Sequence, residues 1–286
     1  MSAALFRELF DDASLFPPAA LPMADAVTGH LRHQAAWYRA TSGPFVCADI
    51  RIPELSSAMT AAGVAELDLA LVLPGGAAGL DSAVDTVFAD PRLRLRAIEL
   101  PIATSGDTPA AVSAVAAALD RTPLAGAAAF IEVPARQLTA EVARAIADHR
   151  YLAKVRTGGT TAEAFPDETT LASCLATLAA ERLPFKCTAG LHHAVRHSAT
   201  ETGFEHHGFL NVLLAVAAAL NNDQIEGVTA ELADSAAGRV AAKVSELDAD
   251  TVFAVRELFT SFGTCSTDEP IADLVTLGLI SADHPG

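Results

Sequence analysis

Short apolar runs rich in strand-forming residues alternate along the chain with Ala-rich stretches whose apolar residues recur at helical spacing. This is the pattern of repeated βα units around a parallel sheet. Strands are predicted at Ala13 to Phe16, Phe45 to Ile50, Leu67 to Leu73, Leu93 to Leu100, Ala127 to Val133, Tyr151 to Arg156, Phe185 to Thr188 and Thr260 to Gly263. Turn formers end many of them, as in Pro74-Gly75-Gly76, Pro101, Pro134, Thr157-Gly158-Gly159 and Ala189-Gly190. Helices are expected at Met23 to Arg39, from near Pro53, and at Leu80 to Phe88, Pro109 to Leu119, Leu138 to His149 and Glu168 to Glu181.

Eight such units predict an α/β fold, a (β/α)8 TIM barrel, and 286 residues suit one barrel domain over 1–286. The step from strand seven to strand eight is irregular: about 70 residues, well beyond an ordinary connection. Residues 191–258 therefore read as a helical, His-rich insertion or lid between strands 7 and 8. An open doubly wound sheet is the competing architecture, but it normally carries G-x-G-x-x-G after its first strand, and that motif is absent there.

Composition narrows the classes of partner. A formal charge of −16, with no basic cluster to interrupt it, argues against nucleic acid. The longest continuous apolar run, Leu210 to Leu220, is shorter than the about 20 residues that cross a bilayer, so no membrane role is expected. The first ten residues lack the marks of a secretion signal, and Cys47, Cys174, Cys187 and Cys265 form no C-x-x-C pair, which points to a cytoplasmic location. The acidic helices offer a surface for homo-oligomer contacts.

In parallel barrels catalytic groups lie at the C-terminal strand ends, so polar residues that interrupt apolar strands there form the candidate set. They are Asp12, Asp49, Glu99, Glu132, Lys154, Arg156, Lys186, His192 and His193. Lys154 and Arg156, two apart, share one face of their strand. A lysine inside the barrel loses hydration, and neighbouring cations oppose its charge, which would free the amine to attack a carbonyl. The alternative is a buried ionic layer in which Lys154 and Lys186 pair with Glu132 and Glu99.

The segment Gly190 to His197 and the nearby Glu205-His206-His207 hold five of nine histidines. A divalent metal held by Glu99, Glu132, His192 and His193 is one reading, although the spacing matches no strong zinc motif. Acid/base work by His192 and a purely structural loop are the others. Asn211, at a helix start, reads as a cap or as part of an anion site. Gly263-Thr264-Cys265-Ser266 reads as a small-residue loop for phosphate or carboxylate.

The residues Lys154-Val155-Arg156-Thr157-Gly158 resemble the strand-six motif of the deoxyribose-phosphate aldolases, class I enzymes built on a TIM barrel with a Schiff-base lysine. Phe185-Lys186-Cys187-Thr188-Ala189-Gly190 is similar to their strand-seven motif, whose second lysine tunes the first. Asp12-Ala13-Ser14-Leu15-Phe16-Pro17, Ile131-Glu132 and Gly263 to Ser266 resemble the opening Asp motif, the strand-five Glu and the phosphate loop. The family's acid/base Asp has Glu99 as its nearest counterpart, and its strand-seven phosphate grip is altered to Gly190-Leu191-His192.

The resemblance implies a lyase without cofactor, in which Lys154 forms the imine, Lys186 tunes it, and Glu132, Glu99 or His192 moves protons. Its substrate would be a small carbonyl compound bearing a carboxylate or phosphate. Asp12, Arg156, Thr157, Gly158, His193, Asn211, Gly263, Thr264, Cys265 and Ser266 would bind it. Two other classes stand beside it: a metal-dependent barrel lyase, hydratase or isomerase, and a non-catalytic ligand-binding or assembly subunit.

Overall fold

Eight parallel strands close on one another in the computed structural model, which describes residues 2–282 except 104–105, 160, 201–202 and 222. They are β1 (Phe10–Asp12), β2 (Ser42–Ala48), β3 (Leu67–Val72), β4 (Leu93–Pro101), β5 (Ala128–Val133), β6 (Leu152–Arg156) and β7 (Phe185–Thr188). After a short antiparallel hairpin of β8 (His197–Ser198) and β9 (Glu205–His206), the ring ends with β10 (Phe259–Thr264). Pairing of β1 with both β2 and β10 closes the ring, so the fold is a (β/α)8 TIM barrel.

The helices, in chain order, are α1 (Ser2–Phe6), α2 (Met23–Ala35), α3 (Ile52–Ala62), α4 (Leu80–Phe88), α5 (Thr108–Leu119), α6 (Ala140–Asp148), α7 (Glu168–Ala180), α8 (Phe209–Leu220), α9 (Ile225–Ala233), α10 (Ala237–Glu246), α11 (Ala249–Leu258) and α12 (Asp268–Thr276). Their starts follow local chemistry. Thr139, Asp167 and Asp248 accept from the backbone N–H of Val142, Thr170 and Thr251, which satisfies donors that the first helical turn leaves free. On α6 the residues Val142, Ala143 and Ile146, at helical spacing, are buried, and each large apolar side chain so removed from water contributes about 1.5–3 kcal/mol.

Alternation along the strands separates two cores. Outward residues such as Phe45, Leu71, Ile98, Ile131, Val155 and Cys187 join the main core under the helices, while Val46, Ala70, Val72, Ala97 and Phe130 form a second cluster inside the ring. Arg256, three positions before β10, donates to the main-chain carbonyls of Arg7, Phe259 and Thr260 and so ties the start of β10 to the N-terminal segment.

One expectation is corrected. The first strand is Phe10–Asp12, and Ala13 to Phe16 instead makes a turn closed by Phe16 N–H to Ala13 O at 2.8 Å. Within 191–258, α8 is buried along nearly its whole length and packs against α7, α9, α10 and α11. Its run of apolar residues is the mark of a helix surrounded on all sides. Among the described residues no helix is long and apolar enough to cross a membrane.

Candidate active site

Lys154 and Lys186 stand opposite each other on the neighbouring strands β6 and β7, and Glu132 stands opposite Lys154 on β5. All three point inward by strand alternation. Both lysines are buried, and the reason they can be is a chain of alternating charges. Lys186 Nζ donates to Asp11 and, at 2.5 Å, to Glu99 Oε1; Lys154 Nζ lies 2.7 Å from Glu99 Oε2 and 2.9 Å from Glu132 Oε2; Arg156 Nε lies 3.1 Å from Glu132 Oε1. Ser261 on β10 donates to Asp11 at 2.8 Å, and the Lys186 ammonium lies 5.3 Å from the centre of the Phe130 ring.

The electrostatics follow from this order. Burial opposes the charge of Glu99, but two lysines override it and hold its carboxyl at about 2. Burial likewise opposes charge on Lys186, and Asp11 with Glu99 override it, pushing the ammonium well above the usual lysine range. Glu132 is held low against its burial by Lys154 and Arg156. Asp11 has only one lysine, shared with Glu99; burial dominates there and raises its affinity for a proton. The geometry is that of the alternative ionic layer: each lysine nitrogen lies between two carboxylates, and for Lys186 these oppose the depression expected from a neighbouring cation.

Asp11 is the functional residue that the sequence reading missed. Asp12, the residue chosen there, faces outward, where its carboxylate meets His30 Nδ1 of α2 at 3.0 Å and accepts from Ser14 N–H. Pairing with His30 and Ser14 holds it low against burial.

The loops after β6 and β7 are joined at the mouth. Thr157, fully buried, donates its N–H to Thr188 O and its hydroxyl to Ala189 O. A Cβ on Gly158 would stand 2.7 Å from Gly190 Cα, so only glycine permits this approach. Thr157 and Gly158 therefore align strands six and seven, with both Thr157 donors already used.

The histidines gather at the rim. His192 Nδ1 lies 3.3 Å from Glu269 and 3.7 Å from Cys265 Sγ; burial opposes its charge, but these two partners carry the ring up to about 9. His193 Nδ1 pairs with Asp273 at 3.0 Å. Rings of His193, His197, His206 and His192 follow one another at 4.6, 5.2 and 6.4 Å. Burial lowers His197 and His206. The four residues of the metal reading are not brought together, since Glu99 and Glu132 bind lysines inside the barrel while His192 and His193 bind carboxylates of α12. Among the described residues no group of three or more His, Cys, Asp or Glu is placed to hold a metal ion.

Asn211 is fully buried and tied to main chain: its Oδ1 accepts from Arg196 N–H, and its Nδ2 donates to Glu231 O and Asp234 O. The first amides of α8, Phe209 and Leu210, are taken by the carbonyls of His193 and Ala194. In the loop Gly263 to Ser266, Thr264 Oγ1 donates to Ser266 O, and the helix that follows, α12, opens with Asp268 and Glu269.

No protein-family model matches this sequence, and no curated protein matches it either.

Proposed function

We propose that the protein is a class I aldolase-like lyase, in which Lys154 forms a Schiff base with a small carbonyl substrate. One observation carries the reading: an amine buried at the C-terminal end of the barrel, between Glu99 and Glu132, with a second lysine in register beside it. Attack on a carbonyl needs the neutral amine, so a proton must first leave Lys154. Glu132 is the acceptor in reach, since its second partner is the half-exposed Arg156, whereas Glu99 is held between two buried lysines. The proton taken by Glu132 then returns to the hydroxyl of the carbinolamine, which leaves as water and yields an iminium, again a cation at the Lys154 nitrogen. The carboxylates that hold the ammonium also stabilise that cation, so the resting charge pattern is restored once the imine has formed.

Lys186 keeps its charge throughout and holds Glu99 and Asp11 in place. Asp11, whose carboxyl binds a proton more readily than an ordinary aspartate, is separated from the reacting nitrogen by Lys186 and Glu99. The sequence resemblance to class I aldolases at Lys154 to Gly158 and Phe185 to Gly190 supports the same assignment of the two lysines.

The test is deuterium exchange at the carbon next to the carbonyl of small aldehydes and ketones in heavy water. An iminium acidifies that position, so the wild-type protein is expected to exchange it, with no loss on adding a chelator, and Lys154→Ala is expected not to. Exchange abolished by a chelator would move the assignment to a metal-dependent barrel enzyme. Absence of exchange with every compound would leave the charges as a structural layer.

A further inference from the structure

The four cysteines sit in different settings. Cys47 on β2, Cys174 on α7 and Cys187 on β7 are packed in the main core, whereas Cys265 follows the end of β10 at the barrel mouth. Burial pushes the thiols of Cys47 and Cys174 up to about 12 and that of Cys187 well above the usual thiol range, which makes these three poor nucleophiles. Cys265, at 8% the most exposed of the four, has a different neighbour: its Sγ lies 3.7 Å from His192 Nδ1.

Glu269 Oε2 lies 3.3 Å from the same ring nitrogen, and with Cys265 it carries His192 up to about 9 against its burial, so the ring is a cation at neutral pH. A cation this close to sulphur stabilises the negative charge that develops as sulphur attacks an electrophile. What can reach it is restricted. Little of Cys265 meets solvent, and α12, which opens with Asp268 and Glu269, adds to the net charge of −16 in opposing anions. A small, uncharged reagent meets neither barrier. The hydroxyls of Thr267, two positions after Cys265, and of Ser14, next to the Ala13 amide that bonds Thr264 O, are buried without a hydrogen-bond partner. Unpaired buried hydroxyls leave capacity for a small molecule that can hydrogen-bond.

We propose that Cys265 is a peroxide-reactive thiol, with His192 as its proton donor and Glu269 holding that imidazole in place. The reaction does not depend on an imine at Lys154. A lone pair of Sγ attacks one oxygen of hydrogen peroxide and the O–O bond breaks, so sulphur gives up two electrons and the peroxide gains them. His192 passes a proton to the departing oxygen, which leaves as water, and recovers the proton of the thiol. The products are a sulfenic acid on Cys265 and one water. Because the other three cysteines are packed in the core, reversal falls to two molecules of an external thiol, which are oxidised to their disulfide as the sulfenic oxygen leaves as water.

The test is competition among the four cysteines of the folded protein. Wild type is treated with a limiting amount of hydrogen peroxide in the presence of dimedone, which captures sulfenic acids, and the digest is mapped by mass. Cys265 is expected to carry about tenfold more dimedone than any other cysteine, and the four are expected to label alike in urea. Exposure alone would also favour Cys265, so two variants separate the causes. In folded His192→Gln the labelling of Cys265 is expected to fall by about tenfold, and in Glu269→Gln, which leaves the imidazole but removes its carboxylate, to fall by a smaller factor. Labelling of another cysteine ahead of Cys265 in the wild type overturns the proposal. So does labelling of Cys265 that neither variant changes, which would make exposure the sole cause.

Discussion

Lys154 and Lys186 are held apart by one shared carboxylate: Glu99 reaches the first through Oε2 at 2.7 Å and the second through Oε1 at 2.5 Å. That bridge lets two cations sit on adjacent strands inside a protein. It also divides their roles, because Lys186 has Asp11 as its other partner, deep in the barrel, while Lys154 has Glu132, which reaches toward solvent.

Glu99→Gln leaves two ammonium groups short of a counter-charge. Removing one partner of a buried pair costs about 3–5 kcal/mol, and a loss of that size is expected in urea unfolding at neutral pH. The pH dependence has a definite sign. The folded carboxyl of Glu99 lies at about 2, below its unfolded value, so its contribution is present above the unfolded value and lost as pH falls through the folded one. The wild type is therefore expected to weaken from about pH 4 downward, and the variant to show a flatter acid limb. The contribution of Lys186, raised in the folded state, is present below its unfolded value of about 10.4 and fades only in strong alkali.

Glu132→Gln removes the proton acceptor beside Lys154 and one partner of Arg156. Deuterium exchange into a substrate ketone is expected to fall by about 10²- to 10⁴-fold, the usual worth of a positioned base. An unchanged rate would assign the proton transfer to another group, with Asp11 the nearest remaining carboxyl of high proton affinity.

Gly158→Ala drives a methyl group into Gly190, whose Cα would lie 2.7 Å away. The loops after β6 and β7 must separate, at a cost of about 1–3 kcal/mol, visible as a lower melting temperature. Because the same loops follow Lys154 and Lys186, exchange activity is expected to fall more than folding stability alone explains.

Asn211→Ala removes three hydrogen bonds from a fully buried site, leaving an amide and two carbonyls to find other partners. At about 1–3 kcal/mol for each buried group left unpaired, the variant is expected to be destabilised by several kcal/mol. Its folded fraction should still form the Lys154 imine, since Asn211 joins the hairpin segment to α8 and α9 and makes no bond to the charged layer.

The strand positions of β3 to β7, and the inward lysines and glutamates on them, were legible because a polar residue inside an apolar run has to be explained by the face it occupies. Asp11 was not. It shares a three-residue strand with Asp12, too short for alternation to show, and only the register Asp11 to Gly263 on the closing strand settles which aspartate faces in. The order of the charges was also hidden, since a list of polar strand ends does not reveal that Glu99 lies between the two lysines. Without that, two nearby cations suggested mutual depression. The apolar run of α8 carried a readable signal, that of a helix covered on every side, whereas the pairing of His192 and His193 with α12 depends on residues some eighty positions away.

The most direct measurement is to locate the covalent adduct. Wild-type protein, Lys154→Ala and Lys186→Ala are each reduced with borohydride in the presence of a small ketone, and the digests are mapped by mass. A single adduct on Lys154, present in the wild type and absent from Lys154→Ala, is the predicted result. An adduct that forms on Lys186, or none on any buried lysine, would contradict the assignment and leave the alternating charges as a purely structural layer.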